Sequence, residues 1–132
     1  RIAGLGDVAQ VDPDLREWDY GDYEGRTTTE IREHDPGWTV WTDRVPGGET
    51  IEQVGARATR VVERVLAVPG DVALFAHGHI LRVLAARWLQ LAPESGRLLA
   101  LDTATLSLLG YEHETRVVRN WNEDAFLLPT PL

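Results

Sequence analysis

The sequence predicts a single α/β domain, and three features predict it. A helix with one apolar face follows a cap at Thr50. A continuous apolar run at 72–76 has strand length and suits a strand buried on both faces of a parallel sheet. A second helical pattern follows that run after a tight turn, the order expected of a strand–turn–helix unit. At 132 residues and 43% hydrophobic content, the chain is long enough for one compact domain and too apolar for a disordered one.

In chain order, residues 7–11 alternate like a short strand, closed by Asp12-Pro13-Asp14, where proline removes a ladder donor. Residues 15–25 carry two glycines and no period, so they read as loop. Residues 28–34 read as a short helix that Pro36-Gly37 ends. After Pro46-Gly47-Gly48, Thr50 and Gln53 have capping-box spacing. Ile51, Val54, Ala58, Val61, Val62, Val65 and Leu66 then recur at three- and four-residue steps until Pro69-Gly70. After the strand at 72–76 and His77-Gly78-His79, residues 80–91 turn helical, with Pro93 just beyond. Two late strands, 105–109 and 115–119, are joined by a loop at 111–114, and residues 122–132 read as a flexible tail.

Composition excludes several function classes. With no cysteine there is no disulfide framework, thiolate metal site or cysteine nucleophile. A net charge of -8 without a Lys/Arg cluster argues against nucleic-acid binding. No apolar run reaches the roughly 20 residues needed to cross a bilayer, since Arg82 and Arg87 break the longest helical stretch. A soluble, cytoplasmic protein is therefore expected. The chain starts at Arg1 without a Met or leader pattern, and the expectation is that its true N-terminus lies upstream.

The most informative feature is His77-Gly78-His79 at a strand-to-helix junction. Ligands of open α/β sheets gather at the carboxyl ends of strands, and the first helical turn offers free N–H groups to an anion. Gly78 lets a ligand approach the backbone, and a protonated His77 can donate to phosphoryl oxygens. Alone, His77 reads more readily as a half-buried strand cap, and the second histidine across Gly78 brings the two readings nearly level. His-x-His is also a zinc spacing, which would need a third ligand from His34, His113 or Asp102. The second feature is Glu17 in LREWDYGDYEG, where Trp18, Tyr20 and Tyr23 surround it in sequence. A carboxyl beside aromatic rings is partly desolvated and suited to give a proton to a leaving-group oxygen. By itself the segment also reads as a solvated acidic loop anchored by aromatics.

Together, LREWDYGDYEG and FAHGHILRVLAARW, about sixty residues apart with a capped helix between, resemble the two C-terminal signatures of the histidine-phosphatase (phosphoglycerate-mutase-like) superfamily over essentially the whole chain. The resemblance implies a three-layer αβα sandwich with a mostly parallel sheet, of which residues 1–132 form the C-terminal part of one domain without its central N-terminal strand. It implies hydrolysis of a small phosphomonoester or sugar phosphate through a phosphohistidine. Glu17 would protonate the leaving group and later activate water, His77 would bind and polarise the phosphoryl group, and Tyr20, Gly78 and His79 would contact substrate, with no metal or other cofactor. A homodimer is compatible with this reading.

The family's Arg-His-Gly nucleophile segment is absent: none of His34, His77, His79 and His113 follows an arginine directly. This chain alone is therefore expected to be inactive and the complete parent active. Between Gly25 and Thr50 only Arg26, Arg32 and Arg44 are basic, which favours a phosphatase of the acid-phosphatase or sugar-bisphosphatase branch over a phosphoglycerate-mutase-type transferase. The competing class is a non-catalytic remnant serving as an interaction or dimerisation module.

Overall fold

The computed structural model describes residues 4–124. Its centre is a pair of helices. α1 (Thr28–Arg32) is a single capped turn; α2 (Ile51–Ala67) and α3 (Gly78–Trp88) pack against each other, with 3-10 turns at Pro13–Leu15, Gly21–Tyr23 and Pro93–Leu98 around them. β1 (Leu106–Glu112) and β2 (Thr115–Glu123) close the chain as an antiparallel hairpin.

α2 starts where its cap predicts. The Thr50 hydroxyl accepts from the Gln53 N–H while the Gln53 amide accepts from the Thr50 N–H, so two otherwise orphaned donors are satisfied reciprocally. Val54, Ala58, Val61 and Val62 face inward onto Ile80, Val83, Leu84 and Trp88 of α3. A second group, Trp18, Ile31, Trp38, Val40, Trp41 and Val45, extends this core under the loops that precede α2. α1 is shorter than the predicted 28–34, beginning at a full capping box between Thr27 and Glu30.

Two predicted strands do not form. Residues 5–9 close a turn, with the Val8 and Ala9 N–H groups both donating to the Leu5 carbonyl. Residues 71–77 run without a ladder partner, leaving Phe75 84% exposed. A strand needs a neighbour for its N–H and C=O groups, and among the described residues none lies beside this segment. The sheet seen is accordingly the two-stranded antiparallel hairpin rather than a parallel one.

That hairpin is longer than the sequence reading, and its turn is two residues, with His113 at φ 53. β2 runs through Glu123, so residue 122 belongs to a strand instead of a tail: the Asn122 side chain donates to Asp102 and accepts from the Asp102 N–H. The rest of the expected tail, 125–132, lies outside the described residues. Along one side, residues 62–84, the loop at 101–105 and β1 border an open groove of about 830 Å3.

Candidate active site

Glu17 reaches its place because the loop around it is tied down residue by residue. Asp12 caps the first 3-10 turn by accepting from the Asp14 N–H. Downstream, Gly21 lies so close to the Pro46-Gly47-Gly48 turn that a Cβ on it would meet the Pro46 carbonyl and the Gly48 nitrogen at 2.3 Å, and its φ of +49 is one that side chains rarely adopt. Between these anchors the Glu17 carboxylate turns onto the start of α3. One oxygen accepts from the Trp18 N–H (2.9 Å) and the Ile80 N–H (3.0 Å), the other from the His79 N–H (3.1 Å).

Glu17 therefore caps α3 from a distance. His77, the local N-cap residue, makes no capping bond with its own side chain, and the acid from the loop supplies the negative charge that a helix N-terminus favours. This corrects the expectation that the first-turn amides are free for a substrate anion: those of His79 and Ile80 hold the protein's own carboxylate. The Gly78 N–H is the first-turn donor that Glu17 does not take. A Cβ on Gly78 would meet no atom within 4 Å, so the space over its backbone is open.

His77 has extended backbone (φ -107, ψ 168), its side chain makes no hydrogen bond among the described residues, and it is exposed. With Glu17 and Gly78 it borders the large groove, and Asp102 and Thr103 border the same space. The structure thus brings the acid, the exposed imidazole and the open glycine to one opening.

Tyr20 and His79 are brought together elsewhere. The Tyr20 hydroxyl and His79 Nδ1 are 2.5 Å apart, and both border a second hollow of about 380 Å3 that Tyr23, Arg26, Arg32 and Trp41 also border. The imidazole meets Trp18, Tyr20 and Trp41 edge to face, with centroids at 6.1, 5.8 and 5.3 Å. Burial lowers the His79 pKa, the Glu17 carboxylate opposes this, and Arg82 adds to the lowering. A neutral ring that accepts the Tyr20 hydroxyl at Nδ1 carries its proton on Nε2. Burial first, then Glu17 and Glu24, raises the Tyr20 pKa far above its ordinary value, so the hydroxyl keeps its proton to donate. His79 accordingly has its imidazole in an aromatic box and only its backbone on the acid, a different placement from the groove donor that the His-Gly-His spacing suggests. His77 and His79 face different spaces, and among the described residues no three His, Asp or Glu side chains form a candidate metal site.

Two residues missed in the sequence, Arg57 and Glu49, hold the acid loop. Arg57 is 2% exposed on the apolar face of α2, and its guanidinium grips the Glu49 carboxylate at 3.0 and 2.7 Å. Burial works to raise the Glu49 pKa, but the Arg57 hydrogen bond, the Asp19 N–H and the charges of Arg57 and Arg16 outweigh it and hold the carboxyl below its ordinary range. The signal was available: Arg57 stands three residues after Val54 and one before Ala58, a charge on the buried face of an otherwise apolar stripe.

Comparison with known proteins gives the family and the fold. Residues 2–124 match the family described as histidine phosphatase superfamily (branch 1). The chain is 43% identical over 118 residues to an acid phosphatase of Mycobacterium tuberculosis, covering 88% of this chain and 58% of that protein. It is 41% identical over 95 residues to sedoheptulose 1,7-bisphosphatase of Saccharomyces cerevisiae, covering 59% of this chain and 35% of that protein. The chain thus spans well under two thirds of these curated relatives. A solved Mycobacterium tuberculosis structure superposes with a TM-score of 0.84 at 40% identity, covering 87% of this chain and 61% of that one. A mycobacterial glucosyl-3-phosphoglycerate phosphatase solved with inorganic phosphate superposes at 0.77 with 28% identity, covering 94% and 71%. The fold is that of the phosphoglycerate-mutase-like phosphatases, and the chain belongs to the histidine phosphatase superfamily, branch 1.

Proposed function

We propose that the complete protein hydrolyses small phosphate monoesters, sugar phosphates among them, through a phosphohistidine, and that this chain supplies its acid and its phosphoryl-polarising histidine. The observation that carries the reading is the meeting of Glu17 and His77 at one groove beside the open backbone of Gly78. A histidine from an Arg-His-Gly segment, which this sequence does not contain, would attack phosphorus. The P–O bond to the leaving group breaks, and the departing oxygen takes a proton carried on Glu17 Oε2, the oxygen that accepts from the His79 N–H alone and so keeps a lone pair for it. Glu17 then accepts a proton from the water that attacks the phosphohistidine, releasing inorganic phosphate and freeing the nucleophile. His77 donates to the phosphoryl oxygens as charge builds on them. Tyr20 and His79 border the second hollow and not this groove, so a substrate would meet them only where it reached past Glu17 into that hollow. The relatives named for acid phosphatase, bisphosphatase and glucosyl-3-phosphoglycerate phosphatase activities support a phosphomonoester substrate.

The leaving group tests the role of Glu17. In the complete enzyme, Glu17→Gln is expected to lower kcat/KM for an alkyl phosphate by about 100-fold or more, and for p-nitrophenyl phosphate far less, because kcat/KM ends at the phosphohistidine and p-nitrophenolate leaves without a proton. Equal losses on both substrates would remove the general-acid assignment.

A further inference from the structure

We propose that Arg57, acting with Glu49, is a positioning residue that sets the location of the acid Glu17. This rests on the reading of Glu17 as the general acid. A buried arginine is tolerated when all of its donors are partnered, and Arg57 uses all five. Nε and one Nη2 hydrogen hold Glu49. The other three go to main-chain carbonyls in the acid loop: Nη1 to Asp14 (2.7 Å) and Arg16 (2.9 Å), and Nη2 to Glu17 itself (3.2 Å).

Glu49 holds the same loop from its other end. Its carboxylate accepts from the Asp19 N–H (3.3 Å) and from the Arg16 guanidinium (2.8 Å). Its carbonyl accepts from the Trp18 indole (2.9 Å), and its own N–H donates to the Asp19 carbonyl (2.9 Å). One ion pair therefore grips the backbone on both sides of Glu17 and at Glu17.

Packing alone does not call for this arrangement. Val54, Ala58 and Val61 beside it on the inner face of α2 would accept an apolar side chain; what needs the guanidinium is the loop, whose Asp14, Arg16 and Glu17 carbonyls it partners together with the Glu49 carboxylate. Proton transfer does call for it, since an acid displaced by about 1 Å can lose about 100-fold in rate. Lysine cannot substitute, because an ammonium has three donors on a flexible stem and no planar fork.

The test uses the complete enzyme, with p-nitrophenyl phosphate and glycerol phosphate as substrates. Arg57→Lys is expected to lower kcat/KM on glycerol phosphate by about 10- to 100-fold and on p-nitrophenyl phosphate much less, since kcat/KM ends at the phosphohistidine and leaves out the water step that both substrates share. In a Glu17→Gln background the same change should add nothing further on glycerol phosphate, because its effect passes through the acid. Glu49→Gln, which keeps the shape and removes the charge, should give the same pattern. Equal losses on both substrates, or losses that multiply in the double variant, overturn the proposal. So does loss of the folded state in both variants, which would make the pair a tie for the whole domain. If Glu17→Gln by itself shows no leaving-group dependence, the general-acid reading falls. If it does and Arg57→Lys does not, only the positioning role falls.

Discussion

His79 places two demands on one residue. Its amide N–H holds the Glu17 carboxylate, while its imidazole is buried among Trp18, Tyr20 and Trp41. The buried ring binds its proton more weakly than the unfolded chain does, chiefly because burial disfavours the charged form. As pH falls, the unfolded state therefore takes up this proton first, beginning near the ordinary value of 6.5. Stability due to the neutral ring is fully present above that value and is lost as pH drops toward the lowered folded-state pKa. In the complete enzyme, the thermal midpoint should fall from about pH 7 to about pH 5 more steeply in the parent than in His79→Gln. Parallel pH profiles in the two proteins would show that the ring does not titrate in this way.

At the scale of elements, α2 links the fold to the site. Its inner face packs on α3, its first turn follows directly from Glu49, and its second turn carries Arg57. The capping box defines where the helix starts, and so where these two residues stand relative to the acid loop. In the complete enzyme, Thr50→Ala removes the acceptor for the Gln53 N–H and is expected to cost about 1 kcal/mol, read as a lower urea midpoint with an unchanged slope. An unchanged midpoint would mean that packing alone sets the start of α2. The late strands depend on other partners: Trp88 of α3 donates its indole N–H to the Val117 carbonyl, fastening β2 to the helix pair.

At the scale of the molecule, the described residues leave a broad apolar side uncovered. Leu66, Val68, Val72, Leu106 and Leu108 border the groove and are exposed, and the segment at 71–77 runs beside it without a ladder partner. An uncovered surface of this kind, next to an unpaired backbone, favours association over a sharp folding transition. The 132-residue chain alone is expected to bind a hydrophobic dye, to unfold without a sharp reversible transition and to release no phosphate from p-nitrophenyl phosphate. A soluble monomer with a sharp reversible transition would contradict the folding expectation, and measurable turnover would contradict the division of catalytic groups.

Local chemistry was legible in the sequence where it acts over a few residues. The capping box at Thr50, the apolar stripe of α2, the helix after His77-Gly78-His79 and the late hairpin all depend on neighbours three or four residues away or directly across a turn, and so leave a pattern along the chain. The acid loop and the two histidines were found as residues, but where they point was not. Only the tertiary structure seats Glu17 on the amides of His79 and Ile80, 62 and 63 residues away, sends His77 and His79 into different spaces, and gathers the loop onto Arg57. The run at 72–76 shows the same division. Its apolar residues are a property of the sequence, whereas a strand is a relation between two segments, and no run of residues forms one without a neighbour to bond.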